Sequence, residues 1–158
     1  SFASSHGKQV GEEIDLQGIN QVLWPDHCIQ GTHGAEFHSG WDHSKVEHIF
    51  HKGSDPNIDS YSTFFDNGNR KSTGLEDYLK QHGINRLVIA GLATDYCVKY
   101  SVFDAVRLRF ETFVVPEGCR SVNLDPKDDE RAWNEMKKLG AKVLSLNRVE
   151  EMLRGGGI

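Results

Sequence analysis

Cys97 lies in "GLATDYCVKYSVFDAV" (91–106), where an apolar run gives way to a helical pattern. It follows the run by a tight turn and falls in the first turn of the predicted helix. Free backbone N–H groups and the helix dipole favour an anion at such a place. They therefore stabilise a thiolate, the nucleophilic form of cysteine. The same N–H groups can hold the oxyanion formed when a thiolate attacks a carbonyl. A structural cysteine on the inner face of the helix is the competing reading, and these residues alone leave both open. Lys52 follows the predicted strand "VEHIF" (46–50) at its carboxyl end. An ammonium there can help ionise a neighbouring thiol. A solvated surface lysine is the plainer alternative.

A second group of candidates lies upstream. "WPDHC" (24–28) offers Trp24, whose flat face can stack on a planar ligand, and His27, whose neutral imidazole can bind a metal. A turn with a half-buried Trp and an exposed His explains the same residues. Six of the 8 histidines fall between residues 27 and 51. His33, His38, His43 and His48 are spaced five apart, which is not one helix face, and paired cysteines at zinc-finger spacing are missing. Most of these histidines therefore read as solvent-facing. "DSYSTFFDNG" (59–68) places Tyr61, Phe64 and Phe65 in a loop, either walling a pocket or pinning the loop down. Cys119 lacks a helix start beside it and reads as structural.

The elements that must position these groups follow from pattern. Residues 1–45 read as loop and short helix, and 53–74 as a long polar connection, of the kind usually functional or disordered. "GLEDYLKQHG" (74–83) forms a helix with Gly83 as its C-cap. "RLVIAGL" (86–92) is a continuous apolar run, as for a strand buried on both faces. Thr94 is the expected N-cap of the helix carrying Cys97. "ETFVVPEG" (111–118) is another buried strand, 126–140 a helix, "AKVLSL" (141–146) the last strand, and "NRVEEMLR" (147–154) a short helix. Alternation of strand and helix predicts a parallel α/β sheet with right-handed crossovers, with ligands at the carboxyl ends of strands.

Composition sets the boundaries. A chain of 158 residues with 37% hydrophobic and 26% charged content is read as one soluble domain, 1–158. No apolar stretch reaches spanning length, which argues against a membrane. A net charge of −5 without a long basic run argues against nucleic acid as the main partner. Three widely spaced cysteines make a disulfide framework a poor reading and a reducing cytoplasm the simpler home. The terminal "GGGI" reads as an appended or disordered tail.

Taken together, "WPDHC", "HKG", "DSYSTFFDNG" and "GLATDYCVK" resemble bacterial nicotinamidases (pyrazinamidases) of the isochorismatase-like cysteine hydrolase superfamily, in order and in spacing. The resemblance implies a three-layer α/β/α fold with a parallel sheet of strand order 3-2-1-4-5-6. It implies Cys97 as nucleophile, Lys52 as catalytic lysine and His27 as one ligand of a divalent metal, with zinc, iron and manganese all in use. Trp24 and Tyr61 match aromatics around a pyridine ring. Leu92–Ala93 matches a cis peptide, and the amides of Ala93 and Cys97 match an oxyanion hole. The implied reaction is hydrolysis of nicotinamide, or pyrazinamide, through a cysteine thioester, in cytoplasmic NAD salvage. A homo-oligomer is common in the family.

The resemblance covers the C-terminal two-thirds to three-quarters of such an enzyme. The family's proton-carrying aspartate follows its first strand, and a D-x-H motif follows its second. Neither has a counterpart here, and Asp59 and Asp95 belong to other motifs. The expectation is therefore a complete site only with a preceding segment. Without it, "VEHIF" has no neighbour, "RLVIAGL" shows an apolar edge, and the chain does not fold natively alone. Two rivals remain: a related amidase or isochorismatase-like hydrolase of another substrate, and a truncated non-catalytic interaction domain.

Overall fold

The computed structural model describes residues 1–155. The tail expectation for "GGGI" therefore lies, beyond Gly155, outside the described residues. After a single helical turn, α1 (Ala3–His6), the chain forms an antiparallel hairpin of β1 (Glu13–Leu16) and β2 (Ile19–Val22). Its two-residue turn has Gln17 at φ 56 and Gly18 at φ 81. Positive φ at both central residues matches the right-handed twist of the paired strands. Arg70 clamps that turn, donating to Gln17 Oε1 at 2.8 Å and to the Gln17 carbonyl at 2.7 Å. The hairpin corrects the reading of 1–45 as loop and short helix. "EIDLQGINQV" has strand alternation, but Gln-Gly is a weak turn signal beside Asn-Gly.

The larger sheet has three parallel strands in the order β3 (Arg86–Leu92), β4 (Glu111–Arg120), β5 (Lys142–Val143). α2 (Leu75–Gln81) precedes β3, α3 (Lys99–Arg107) runs between β3 and β4, α4 (Asp128–Leu139) between β4 and β5, and α5 (Leu146–Arg154) follows β5. This is the expected α/β alternation. Successive residues of a strand face opposite ways, and β4 uses both. Val114 packs with Val98, Val102 and Met136 beneath α3 and α4, whereas Phe113 and Val115 pack with Val149 and Met152 of α5. The sheet therefore lies between two helical layers.

Several boundaries differ from the predicted ones. "VEHIF" forms no strand, because no described segment offers it a ladder, and Val46 and Ile49 are exposed. "RLVIAGL" is buried on one face only. Leu87 and Ile89 pack under α2 and α3, but Val88 is 42% and Leu92 71% exposed, because β3 is the edge of the described sheet and α5 covers β4 instead. β4 runs longer than its apolar core, with a register shift opposite Ile89–Gly91 around Pro116, which has no N–H to donate. Gly118 sits at that shift, where an added Cβ would lie 2.9 Å from the Ala90 Cβ. β5 is only two residues, because the chain turns into α5 at Leu146. The C-cap of α2 is His82, with Gly83 following at φ 66. Thr94 is not the cap: the N-cap position is Ala93, and the buried Thr94 hydroxyl has no hydrogen-bond partner among the described residues. Among the described residues no helix is long and apolar enough to cross a membrane.

The connection 53–74 is anchored by its own aromatics. Phe64 is 1% exposed and packs with Leu79, Ala105 and Phe110. Phe65 pairs with Ser72, and Thr73 Oγ1 donates to the Thr63 carbonyl at 2.7 Å. Of the two roles open for these rings, Phe64 pins the loop. Phe64→Ala should therefore lower the unfolding free energy by about 3–5 kcal/mol, the range for truncating a buried aromatic. Urea denaturation of the variant beside the parent checks this through the shift in midpoint.

Candidate active site

The chemistry gathers at the carboxyl end of β3. The Leu92–Ala93 peptide is cis, and the chain then winds through one π-helical turn, Thr94–Val98, before α3 begins. Val98 N–H donates to the Ala93 carbonyl at 3.0 Å, and Tyr96 N–H to the same oxygen at 3.2 Å. Cys97 sits in this turn, half-buried. Lys52 arrives from an irregular segment 45 residues upstream, and its Nζ is 3.5 Å from Cys97 Sγ. The same ammonium donates to the Ser60 carbonyl at 2.6 Å. Two acceptors thus fix the lysine head, one of them the sulfur. An ammonium at that distance sets a positive charge directly against the sulfur.

An aromatic wall stands beside the pair. Trp24 Nε1 donates to Tyr61 Oη at 3.1 Å. Tyr96 meets the Trp24 ring edge-on at 4.6 Å and 87°, and the Tyr61 ring at 5.4 Å and 70°. Edge-to-face contacts of this kind suit ring quadrupoles and hold planar side chains in fixed orientation. Burial pushes the Tyr61 phenol up to about 12, the hydrogen bond from Trp24 opposing it. Burial also raises Tyr96. A cleft of about 280 Å³ opens between the hairpin and the start of α3, lined by Glu13, Asn20, Tyr61, Tyr96, Lys99 and Asp128 among others. Cys97 and Lys52 do not line that cleft.

The remaining candidates separate. His27 is exposed; its Nδ1 lies 2.6 Å from the Pro25 carbonyl and its ring packs edge-on to Phe2 at 5.5 Å. An imidazole fixed through Nδ1 offers Nε2 outward, as a metal ligand does. Among the described residues, however, no group of three or more His, Cys, Asp or Glu is placed to hold a metal ion. His33, His38, His43 and His48 are all exposed, as their spacing suggested. Asp95 is 4% exposed and accepts from the Val122 and Asn123 amides at 3.0 and 2.8 Å, so its carboxylate is committed to the loop after β4. Asp59 N–H donates to Gln21 Oε1 at 2.7 Å, which fixes that residue against the hairpin. Cys119 is buried in the α3–α4 core, and burial pushes its thiol up, as a structural cysteine requires. Two contributors escaped the sequence reading. Tyr96 is adjacent to the nucleophile candidate and aromatic, which was a usable signal. Ser60 contributes a backbone carbonyl, for which no side-chain signal exists.

Residues 9–148 match the family model described as Isochorismatase domain. A nicotinamidase of Escherichia coli (strain K12) is 46% identical over 151 residues, 96% of this chain and 71% of that protein. The solved structure of an Acinetobacter baumanii nicotinamidase/pyrazinamidase superposes with a TM-score of 0.90 at 41% identity, covering 94% of this chain and 72% of the other. A pyrazinamidase of Pyrococcus horikoshii, solved in complex with zinc, superposes with a TM-score of 0.68 at 34% identity, covering 79% and 64%.

Two outcomes follow from the geometry. Replacing Lys52 by Met should slow iodoacetamide alkylation of Cys97 at neutral pH by about three- to tenfold, the scale of a partly exposed charge pair. Site-resolved mass spectrometry reads this separately from the exposed Cys28. Tyr61 ionises near 10 when unfolded and near 12 when folded, so the native state holds the proton more tightly. Stability from this group is complete below pH 10 and is lost as pH rises towards 12. Denaturant midpoints across that window should fall less steeply in Tyr61→Phe than in the parent.

Proposed function

The chain belongs to the isochorismatase family, and we propose that it hydrolyses nicotinamide to nicotinate and ammonia, with pyrazinamide as a second substrate. The observation that carries this reading is the Lys52 ammonium 3.5 Å from the Cys97 sulfur at a strand's carboxyl end. Fixed aromatics suited to a pyridine ring stand beside it. The relatives named nicotinamidase and pyrazinamidase supply the substrate class.

In the proposed reaction the Cys97 thiolate attacks the carboxamide carbon and forms the C–S bond. Lys52 balances the sulfur's charge before attack. The amides of Ala93 and Cys97 receive the oxyanion. Collapse breaks the C–N bond and ammonia leaves with an added proton, giving a thioester. Water then breaks the C–S bond, nicotinate leaves, and the thiolate returns. Trp24 and Tyr61 hold the ring plane, and Tyr96 buttresses both. Proton transfer needs a general acid and base. The aspartate that the family resemblance gives this task has no equivalent in Asp59 or Asp95, whose partners are described above. His27 is the one residue here assigned to a divalent metal, zinc first and iron or manganese as alternatives. A single imidazole does not fit a metal ion by itself, so no step above passes through one. We place the reaction in cytoplasmic NAD salvage.

Assays of nicotinamide, pyrazinamide and N-carbamoyl substrates, with and without chelator, test the reading. The pyridine and pyrazine carboxamides should be turned over and the carbamoyl compounds left intact. Cys97→Ala should lower turnover by at least about 10³-fold while ligand still binds. Preference for the carbamoyl compounds, or full activity of Cys97→Ala, overturns it.

A further inference from the structure

Ser101 lies one helical turn beyond Cys97, is 2% exposed, and has no direct contact with the sulfur among its hydrogen bonds. Its Oγ donates to the Cys97 carbonyl at 2.6 Å. That bond alone is a common habit of serine in helices. The second bond is not: the same oxygen accepts from the Thr63 N–H at 2.9 Å, from a segment 38 residues away. Thr63 stands three residues from Ser60, whose carbonyl holds the Lys52 ammonium at 2.6 Å. The intervening backbone is stiff. Tyr61 N–H donates to Asn67 Oδ1 at 3.0 Å, and Phe64 N–H donates to Ser62 Oγ at 3.1 Å.

The hydrogen bonds therefore close a ring. It runs from Lys52 Nζ to the Ser60 carbonyl, along the backbone to Thr63, through Ser101 Oγ to the Cys97 carbonyl, and from Cys97 Sγ back to Lys52 Nζ. Ser101 is where the two halves of the ring meet through one oxygen atom. We infer that Ser101 is a positioning residue that sets the separation of the Cys97 sulfur from the Lys52 ammonium by tying the 60–63 segment to the nucleophile's own carbonyl. The inference rests on the reading of Cys97 and Lys52 as the reacting pair. Without the hydroxyl, the Thr63 N–H, part-buried in this bond, loses the acceptor that ties its segment to α3, and the segment is free to shift towards water or another carbonyl. Lys52 travels with Ser60. The other ionisable groups about the sulfur are Tyr61 across the wall and, on its own turn, Asp95 and Tyr96; the ring of bonds passes through none of their side chains.

The test compares parent, Ser101→Ala and Ser101→Thr in the full chain. It measures the pH–rate profile of Cys97 alkylation by iodoacetamide, site-resolved, together with nicotinamide kinetics. Alanine should move the alkylation profile to higher pH, slow alkylation at neutral pH by about three- to tenfold, and lower kcat by about tenfold with KM within about threefold. Threonine, which keeps the hydroxyl, should restore both. An alanine variant with the parent's alkylation profile, or a threonine variant that behaves like alanine, overturns the inference. Should alanine prevent folding, Ser101→Cys fills the same space with a poor hydrogen-bonding group and carries the same readouts. The alkylation arm needs no substrate. Absent nicotinamide turnover with Ser101-dependent alkylation sinks the substrate assignment and leaves the positioning role standing. Turnover with Ser101-independent alkylation does the reverse.

Discussion

The contact between the Lys52 ammonium and the Cys97 sulfur, 3.5 Å across, is the constraint around which the rest of the molecule is arranged. Neither side chain can hold the other unaided. A lysine has four rotatable bonds and a strongly hydrated head, so it stays beside a sulfur only if a second acceptor pins it. The Ser60 carbonyl is that acceptor, and Ser60 belongs to a loop anchored by Phe64 in the core. The sulfur is placed just as indirectly. The β3 strand delivers the chain to a cis peptide, and a π-helical turn then aims residue 97 before the regular helix begins. Chemistry at this point depends on a loop and a strand end agreeing in position, and both are tied to the same core.

Burial explains why that agreement is rigid. The face of β3 towards α2 and α3 packs Leu87 and Ile89 against Phe64, Leu79 and Ala105. One cluster therefore fixes the loop, the helix after the nucleophile and the strand before it. Buried polar groups reinforce the same joints. Asp95 is out of water yet accepts two backbone amides from the loop after β4, which compensates its charge and fastens the nucleophile's turn to the next strand's exit. Among the described residues the other side of β3 has no such support, and Val88 and Leu92 are exposed.

The aromatic wall adds direction. Trp24, Tyr61 and Tyr96 come from three separate segments and meet edge to face. Each ring limits the tilt of the others, and the Trp24–Tyr61 hydrogen bond sets their height. Desolvation keeps the Tyr61 phenol neutral far into alkaline pH, so the wall presents polar rings without charge. That is a surface suited to a flat, neutral heteroaromatic amide.

Much of this was legible in the sequence, because it depends on local patterning. The apolar run of β3 followed by a helical pattern identified a strand end and placed Cys97 in the turn after it. The helix-end preferences of α4, acids first and lysines last, were likewise written in its residues. The motifs "WPDHC" and "GLATDYC" marked the right family. The sequence did not reveal the hairpin at 13–22, whose Gln-Gly turn is a poor signal. It overcalled "VEHIF", since a strand exists only where another backbone offers a ladder. It offered Lys52 beside Cys97 only as one of two readings, and it could not say that a Ser60 carbonyl holds the lysine or that Ser101 joins their supports. Those are meetings of residues tens of positions apart, several of them through backbone atoms that every residue shares. Periodicity and residue type settled the elements here; only packing them together decided which atoms became neighbours.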